Sequence, residues 1–383
     1  MNSKQQNTNR KFIFLYLNTG NGHISSARVI KKSMAEVAPD VPVELVNGFD
    51  EHNYLGHFFF EKCYALACNY LHGAFPLIYD LGQHRFFLSL FNGVLQYRTR
   101  RTIRNAIIQY QATDVVSFHF ALSPAAQGAI RDVDPKIKFT EICTDPFTGP
   151  HAWFYKRNQD TLVESEDMKQ MAIRECQVPA KNLKVMPFII DKKYEKPITQ
   201  DEIVALRKQY GFDEKKRIVL LAGGGEGLPG ALKIINQCVL HKANFAIAVV
   251  CGRNKEMKMS LDILAKTYSG LDLHVYGFVD FMESLIKMSD LVVSKAGPAT
   301  VLEIISCHKP IIISSYIHNQ ELGNMKFTVK NHVGYFIQSS TDIYKKIDEI
   351  FKSDESYKKV ASKFNGVAID IDTTKTARYL LEK

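Results

Sequence analysis

The sequence has seven cysteines but no CxxC pair and no Cys/His spacing of a zinc site. That pattern excludes a disulfide framework and a zinc module, and reduced thiols in a cytosolic protein are its simplest account. No stretch reaches the ~18 uncharged apolar residues that a membrane-crossing helix needs. The apolar run in MNSKQQNTNRKFIFLYLNTG is short and ends in glycines, so it reads as a buried first strand and not as a signal peptide. Walker loops and Ser/His/Asp nucleophile elbows are also missing. At 46% hydrophobic and 23% charged residues, the composition is that of a folded protein. The chain does carry excess positive charge, +9. This favours an anionic partner, whether nucleic acid, a membrane surface or a phosphorylated ligand, and charge alone does not choose among them.

A chain of 383 residues is long for one hydrophobic core, so two domains are expected. Two segments, KFIFLYLNTGNGHISSARVIKKSM and KRIVLLAGGGEGLPGALKIINQC, share a pattern of basic lead, apolar strand, glycine loop and amphipathic helix. This is how an α/β domain with a parallel sheet begins. Apolar runs follow the first start at VPVELVN, DVVSFHF, KIKFTEICTD, TLVES and LKVMPFI, and the second at FAIAVVCG, LHVYGFV, DLVVSKAG, PIIISSY and HVGYFI. The break falls near the charged stretch Asp191 to Glu202, giving domains 1–195 and 196–383. The closing helix, 370–383, is left free to pack on either domain, the N-terminal one included. Tyr54 to Asn105 departs from the α/β rhythm. It is crowded with aromatics and ends in Arg98, Arg100, Arg101 and Arg104, which suits either a helix lying on anionic lipid or buried core helices with a solvated basic end.

Several stretches carry chemistry. In SKAGPATVLEI, Gly297 allows a sharp turn and Pro298 suits the first helical position, so the following amides form an anion site or an ordinary capped helix start. Gly225, Gly227 and Gly230 satisfy G-x-G-x-x-G after a strand, but Arg253 stands where a ribose-binding acid is expected, which leaves an NADP enzyme open. Two phosphate-friendly loops in one half suggest a diphosphate held across the strand ends. His23 follows the first glycine turn and Asp145 ends a strand of the same half, so each is a candidate base or a packing and capping residue. Asp132-Val133-Asp134 and Asp370-Ile371-Asp372 spell D-x-D, which can bind a metal, yet both sit in turn-like or tail contexts. Glu303 lies about one turn inside the Pro298 helix, leaning toward the phosphate end, where a carboxylate can accept ribose hydroxyls. His318 to Asn324 gathers amides and a carboxylate of the kind that read sugar hydroxyls.

In order, TGNGH, TDPFTGPHAWF, GGGEG, VVCGRN, VYGFV, SKAGPATVLEI and NQELGN resemble the diacylglycerol glycosyltransferases of glycosyltransferase family 28 over nearly the whole chain. That family holds the monogalactosyldiacylglycerol synthases and bacterial diacylglycerol glucosyltransferases, and is related to the GlcNAc transferase that makes lipid II. The resemblance implies an α/β GT-B fold, two Rossmann-like domains with parallel sheets facing a central cleft, the donor held C-terminally and the acceptor N-terminally. Position by position, it implies UDP contacts from Gly223, Gly224, Gly225, Glu226, Gly227, Arg253, Phe278, Gly297, Pro298, Ala299, Thr300 and Glu303. It places Gln320, Glu321 and Asn324 at the donor sugar, and Asn21, Gly22, His119, His151 and Trp153 on the acceptor side. His23 and Asp145 are the implied catalytic pair, without a choice of base. Asn21 and Ala299 replace glycines found in some or many members.

The implied reaction is an inverting transfer of glucose or galactose from a UDP-sugar to diacylglycerol, at the cytoplasmic face of a membrane and peripheral to it. No metal or other cofactor is implied, because amides and a helix end stabilise the leaving UDP. The expected partners are the UDP-sugar, diacylglycerol and anionic lipids through the four arginines, with no nucleic acid. The other readings are a UDP-GlcNAc transferase acting on another lipid or polyprenyl acceptor, a catalytically dead UDP-sugar sensor and an NADP oxidoreductase.

Overall fold

The computed structural model describes residues 9–18, 22–50, 53–57, 85–363, 367 and 369–383, with the backbone alone for 55, 57 and 85–96. Asn21 and the aromatic stretch 58–84 lie outside the described residues. Two compact units emerge: the chain up to Ile190 with His318–Gln320 and Asp370–Lys383, and Asp191–Ile317 with Glu321–Ile369.

The first unit is built on β1 (Phe12–Tyr16), β2 (Val43–Asn47), β3 (Asp114–Ser117), β4 (Lys138–Ile142), β5 (Thr161–Val163) and β6 (Leu183–Val185). Its helices are α1 (Gly22–Val37), α2 (Arg85–Tyr110), α3 (Ser123–Val133) and α4 (Glu166–Arg174). The strands form one parallel sheet in the order β2-β1-β3-β4-β5-β6. Side chains alternate across a strand, so β1 feeds two cores. Phe12 and Phe14 pack with Ile30 and Met34 of α1, while Ile13 and Leu15 pack with Ile103 and Ile107 of α2 and Ala126 of α3.

The second unit contains β7 (Ile218–Ala222), β8 (Ala246–Val250), β9 (Leu273–Tyr276), β10 (Leu291–Lys295), β11 (Ile311–Ser315) and β12 (Gly334–Phe336). Its helices are α5 (Gln200–Gln209), α6 (Ala231–Leu240), α7 (Lys255–Thr267), α8 (Met282–Met288), α9 (Pro298–Ser306), α10 (Leu322–Lys330), α11 (Ser340–Phe351) and α12 (Asp354–Ala361). The parallel order is β12-β11-β10-β7-β8-β9. Every residue of β7 and β8 is buried, because helices cover both faces of a parallel sheet.

The tail helix α13 (Thr374–Glu382) belongs to the first unit. Ala377 and Leu380 join the core of Ile30 and Met34, Ser33 meets Thr373 at 2.6 Å, and the Phe188 amide donates to Asp370 O at 2.8 Å. Each apolar run named from the sequence contains one of these strands. Among the described residues no helix is long and apolar enough to cross a membrane.

Candidate functional site

In an open parallel sheet, ligands bind beyond the carboxyl ends of the strands where the strand order reverses. In the second unit that point lies between β7 and β10, and the two glycine-bearing turns follow these two strands. Gly223 leaves β7 so tightly that a Cβ on it would lie 2.2 Å from Gly227 O. The next loop braces this one: the Arg253 amide donates to Gly225 O at 2.7 Å. Gly252 has φ +60°, and a Cβ there would sit 2.1 Å from the same oxygen. Gly252→Ala should therefore pry the loops apart and lower the melting temperature, which a thermal melt checks. Glu226 is exposed. The exposed Arg253 guanidinium lies 5.5 Å over the ring of Phe278, itself 57% exposed just past β9. α6 begins only after Gly230, so Gly225 and Gly227 lie in a loop of their own and do not open a helix.

After β10, Gly297 caps α9 and Pro298 occupies its first turn, with no side-chain cap bond. The half-buried Pro298, Ala299 and Thr300 thus present a helix start whose amides and dipole suit an anion. Lys295, which sequence reasoning missed, ends β10 beside both turns. A Cβ on Gly297 would lie 3.5 Å from its Nζ, and one on Gly224 would lie 3.9 Å from its Cε. Its ammonium pairs with the buried carboxylate of Glu321, whose other oxygen accepts from the Ile317 amide at 2.9 Å. Asn324 is buried and donates to Ala296 O at 2.8 Å, so it shapes the turn that precedes α9. Gln320 is half-buried beside Asn319, whose φ is 58°. Burial pushes the Glu303 carboxyl up to about 7.

In the first unit the strand order reverses between β1 and β3. His23, next to Gly22 at the start of α1, lies 2.9 Å through Nδ1 from both Phe118 O and Thr144 Oγ1. A carbonyl only accepts, so Nδ1 carries the hydrogen and Nε2 the lone pair. Burial pushes His23 down to about 4, which keeps it neutral and able to accept a proton at neutral pH. His119 is the opposite tautomer: its Nδ1 accepts from the Ala121 amide at 3.2 Å, which leaves the hydrogen on Nε2. The two rings lie 4.4 Å apart, and burial first and His23 second hold His119 well below the usual histidine range.

The wholly buried Trp153 flanks both imidazoles at 6.2 and 6.4 Å and donates its indole N–H to Asp145 Oδ2 at 2.7 Å. Asp145 is itself buried, and a Cβ on Gly149 would come 2.9 Å from its side chain. His151 lies 3.2 Å from Glu175. The structure therefore gathers His23, His119, Trp153 and Asp145, and places His151 on a separate contact.

Both D-x-D pairs have local partners. Asp132 binds Arg100, Asp134 accepts from the Lys136 amide, Asp370 pairs with Lys375, and Asp372 accepts from Thr374. Among the described residues no group of three or more His, Cys, Asp or Glu side chains could hold a metal ion. On α2, Arg98, Arg101 and Arg104 are exposed, while Arg100 forks onto Asp132 of α3.

Two parallel Rossmann-like units, with glycine turns and a helix start at a switch point, define an α/β protein of the GT-B class. Residues 218–373 match the glycosyltransferase family 28 C-terminal domain. The chain is similar to glycosyltransferases along most of its length. It is 28% identical over 358 residues to a probable chloroplastic monogalactosyldiacylglycerol synthase of Glycine max, covering 89% of this chain and 65% of that protein. It is 22% identical over 352 residues to a processive diacylglycerol beta-glucosyltransferase of Bacillus pumilus, covering 91% and 88%. The chain thus spans about two thirds of the length of the plant relative. The crystal structure of Anabaena HepE in complex with UDP-glucose shares the fold, with a TM-score of 0.61 at 12% identity over 97% of this chain and 99% of that one.

Proposed function

We propose that this protein is an inverting glycosyltransferase that moves glucose or galactose from a UDP-sugar to the 3-hydroxyl of diacylglycerol. The observation that carries the reading is the convergence of the β7 turn, the uncapped start of α9 and Lys295 at one switch point. This is a cradle for a diphosphate, and the relatives named for hexosyl transfer to diacylglycerol supply the substrate class. Phe278 and Arg253 flank the uracil, Glu303 takes the ribose, Gln320 reads the hexose, and Glu321, with both oxygens engaged, holds Lys295 in place. The α9 amides and Lys295 stabilise the leaving UDP, so the reaction needs no metal.

His23 is the base in this reading. It is neutral, with its lone pair on Nε2, and takes the proton of the acceptor hydroxyl as that oxygen attacks the anomeric carbon. Asp145, engaged by the Trp153 indole, fixes the aromatic wall of the histidine pair. The test is UDP release from UDP-glucose or UDP-galactose in the presence of diacylglycerol vesicles. Release that depends on diacylglycerol supports the reading, and none with either donor refutes it.

The exposed arginines of α2 serve peripheral docking on anionic lipid, where each cation is worth about 1 kcal/mol near the surface. Arg98→Gln, Arg101→Gln and Arg104→Gln together should lower affinity for anionic vesicles by about 10²-fold at moderate salt. Arg100 is left in place because it ties α2 to α3. Sedimentation with vesicles of increasing anionic content checks the prediction, and unchanged binding contradicts it.

A further inference from the structure

Gln320 stands in the connection between β11 and α10. The tip of that connection, His318–Gln320, belongs to the first unit, although the chain on either side of it belongs to the second. The tip is a tight turn. The Gln320 amide donates to His318 O at 2.7 Å, the Glu321 amide donates to Ile317 O at 2.9 Å, and Asn319 has φ 58°. A left-handed residue other than glycine persists where its surroundings over-determine the turn. Here the Gln320 carbonyl accepts a hydrogen bond from Thr148 Oγ1 at 3.1 Å, across 172 positions of sequence. Thr148 is itself firmly placed. The Phe147 ring packs 5.6 Å from that of Phe188, the Pro146 carbonyl accepts from Ser165 Oγ, and a Cβ on Gly149 would come 2.9 Å from the Asp145 side chain. A β-branched side chain on so fixed a backbone has little freedom at χ1, so its hydroxyl is a rigid donor.

We propose that Thr148 is a positioning residue for the donor hexose: by holding the Gln320 carbonyl, it fixes the peptide from which the Gln320 side chain reaches the sugar. The inference rests on the reading of Gln320 as the residue that meets the hexose. A hydrogen bond weakens steeply when its donor or acceptor is misplaced, and a side chain is placed no better than the backbone that carries it. A glutamine also gives up rotamer freedom when it binds, and a loose turn beneath it adds backbone freedom to that cost. Thr148 removes the second part. Its bond goes to the main chain, so it does not compete with the Gln320 amide for hexose hydroxyls. The turns assigned to the diphosphate follow β7 and β10 and contain neither Thr148 nor Gln320. UDP without the hexose therefore does not sense the loss of this hydroxyl.

The test measures affinity for UDP-glucose, UDP-galactose and UDP by calorimetry. Wild type, Thr148→Val, Thr148→Ser, Gln320→Ala and the double variant Thr148→Val/Gln320→Ala are compared. Thr148→Val keeps the shape of the side chain and removes the hydroxyl. It should weaken binding of the better-bound UDP-hexose about tenfold while UDP affinity stays within twofold. Thr148→Ser keeps the hydroxyl and should bind like wild type. Thr148→Val should have no further effect once Gln320 is alanine. If Gln320→Ala leaves the affinity for both UDP-hexoses unchanged, the hexose reading fails, and the proposal fails with it. If Gln320→Ala weakens binding of a UDP-hexose but Thr148→Val does not, the hexose reading stands and the positioning role is overturned. A loss in Thr148→Val that extends equally to UDP, or that persists in full without the Gln320 side chain, also overturns it, because it marks damage to the loop of Asp145 and Trp153.

Discussion

Replacing His23 by alanine is expected to lower kcat by about 10²- to 10⁴-fold, the range for losing a positioned general base, while UDP-glucose affinity stays within twofold. The expectation follows from separation of tasks in the proposed reaction: the turns assigned to the diphosphate belong to the second unit and His23 to the first. His23→Gln should be nearly as poor, since an amide fills similar space but cannot take the proton. The wild-type enzyme adds a second check. His23 is held down to about 4 by burial, so with donor saturating its acid limb lies near that value and not near 6.5. Below about 6.5 the unfolded chain protonates this histidine while the native state resists, so this group also makes stability fall with decreasing pH down to about 4. Retained turnover in His23→Ala, or an inflection near 6.5 that disappears with the residue, contradicts the assignment.

Lys295→Ala is expected to cost about 10²- to 10³-fold in kcat, comparable to removing one preorganised donor at a developing anion. In the proposed reaction charge builds on the diphosphate as the glycosidic bond breaks, and the Lys295 side chain lies beside both glycine turns. The substitution also strips the buried Glu321 of its ion-pair partner. An unpaired buried carboxylate destabilises by several kcal/mol, so Lys295→Ala/Glu321→Gln is the necessary companion. The double variant should melt close to wild type yet remain slow. A double variant that recovers both stability and rate would show that Lys295 serves only to neutralise Glu321.

The strands were legible because a parallel sheet buried on both faces must be written as continuous apolar runs, as in IVLLA and AIAVV. The turn at Gly223 was legible for a related reason: close backbone approach leaves a glycine signature, whereas Gly297 has φ −62° and room for a Cβ. Partnership was not legible. Phe118 supplies the carbonyl that sets the tautomer of His23, yet the two lie 95 positions apart, and no local pattern announces their meeting. Lys295 was in plain view within SKAG, and the missed signal was its place at a strand end immediately before an anion-binding turn. Asn324 illustrates the converse, since its amide suggested sugar recognition and the structure gives its donor to the Ala296 carbonyl. The tail was ambiguous because its apolar stripe fits any groove, and only the packing of Ala377 and Leu380 against Ile30 and Met34 settles it.

The most direct test of the central claim is the structure of the product. Purified protein is incubated with diacylglycerol vesicles and, separately, α-linked UDP-glucose or UDP-galactose, and the extracted lipid is analysed by mass spectrometry and by the proton coupling at its anomeric carbon. A β-linked hexosyl diacylglycerol, formed with stoichiometric release of UDP, is the predicted result. An α-linked product, or no hexosyl diacylglycerol from either donor, would contradict the account.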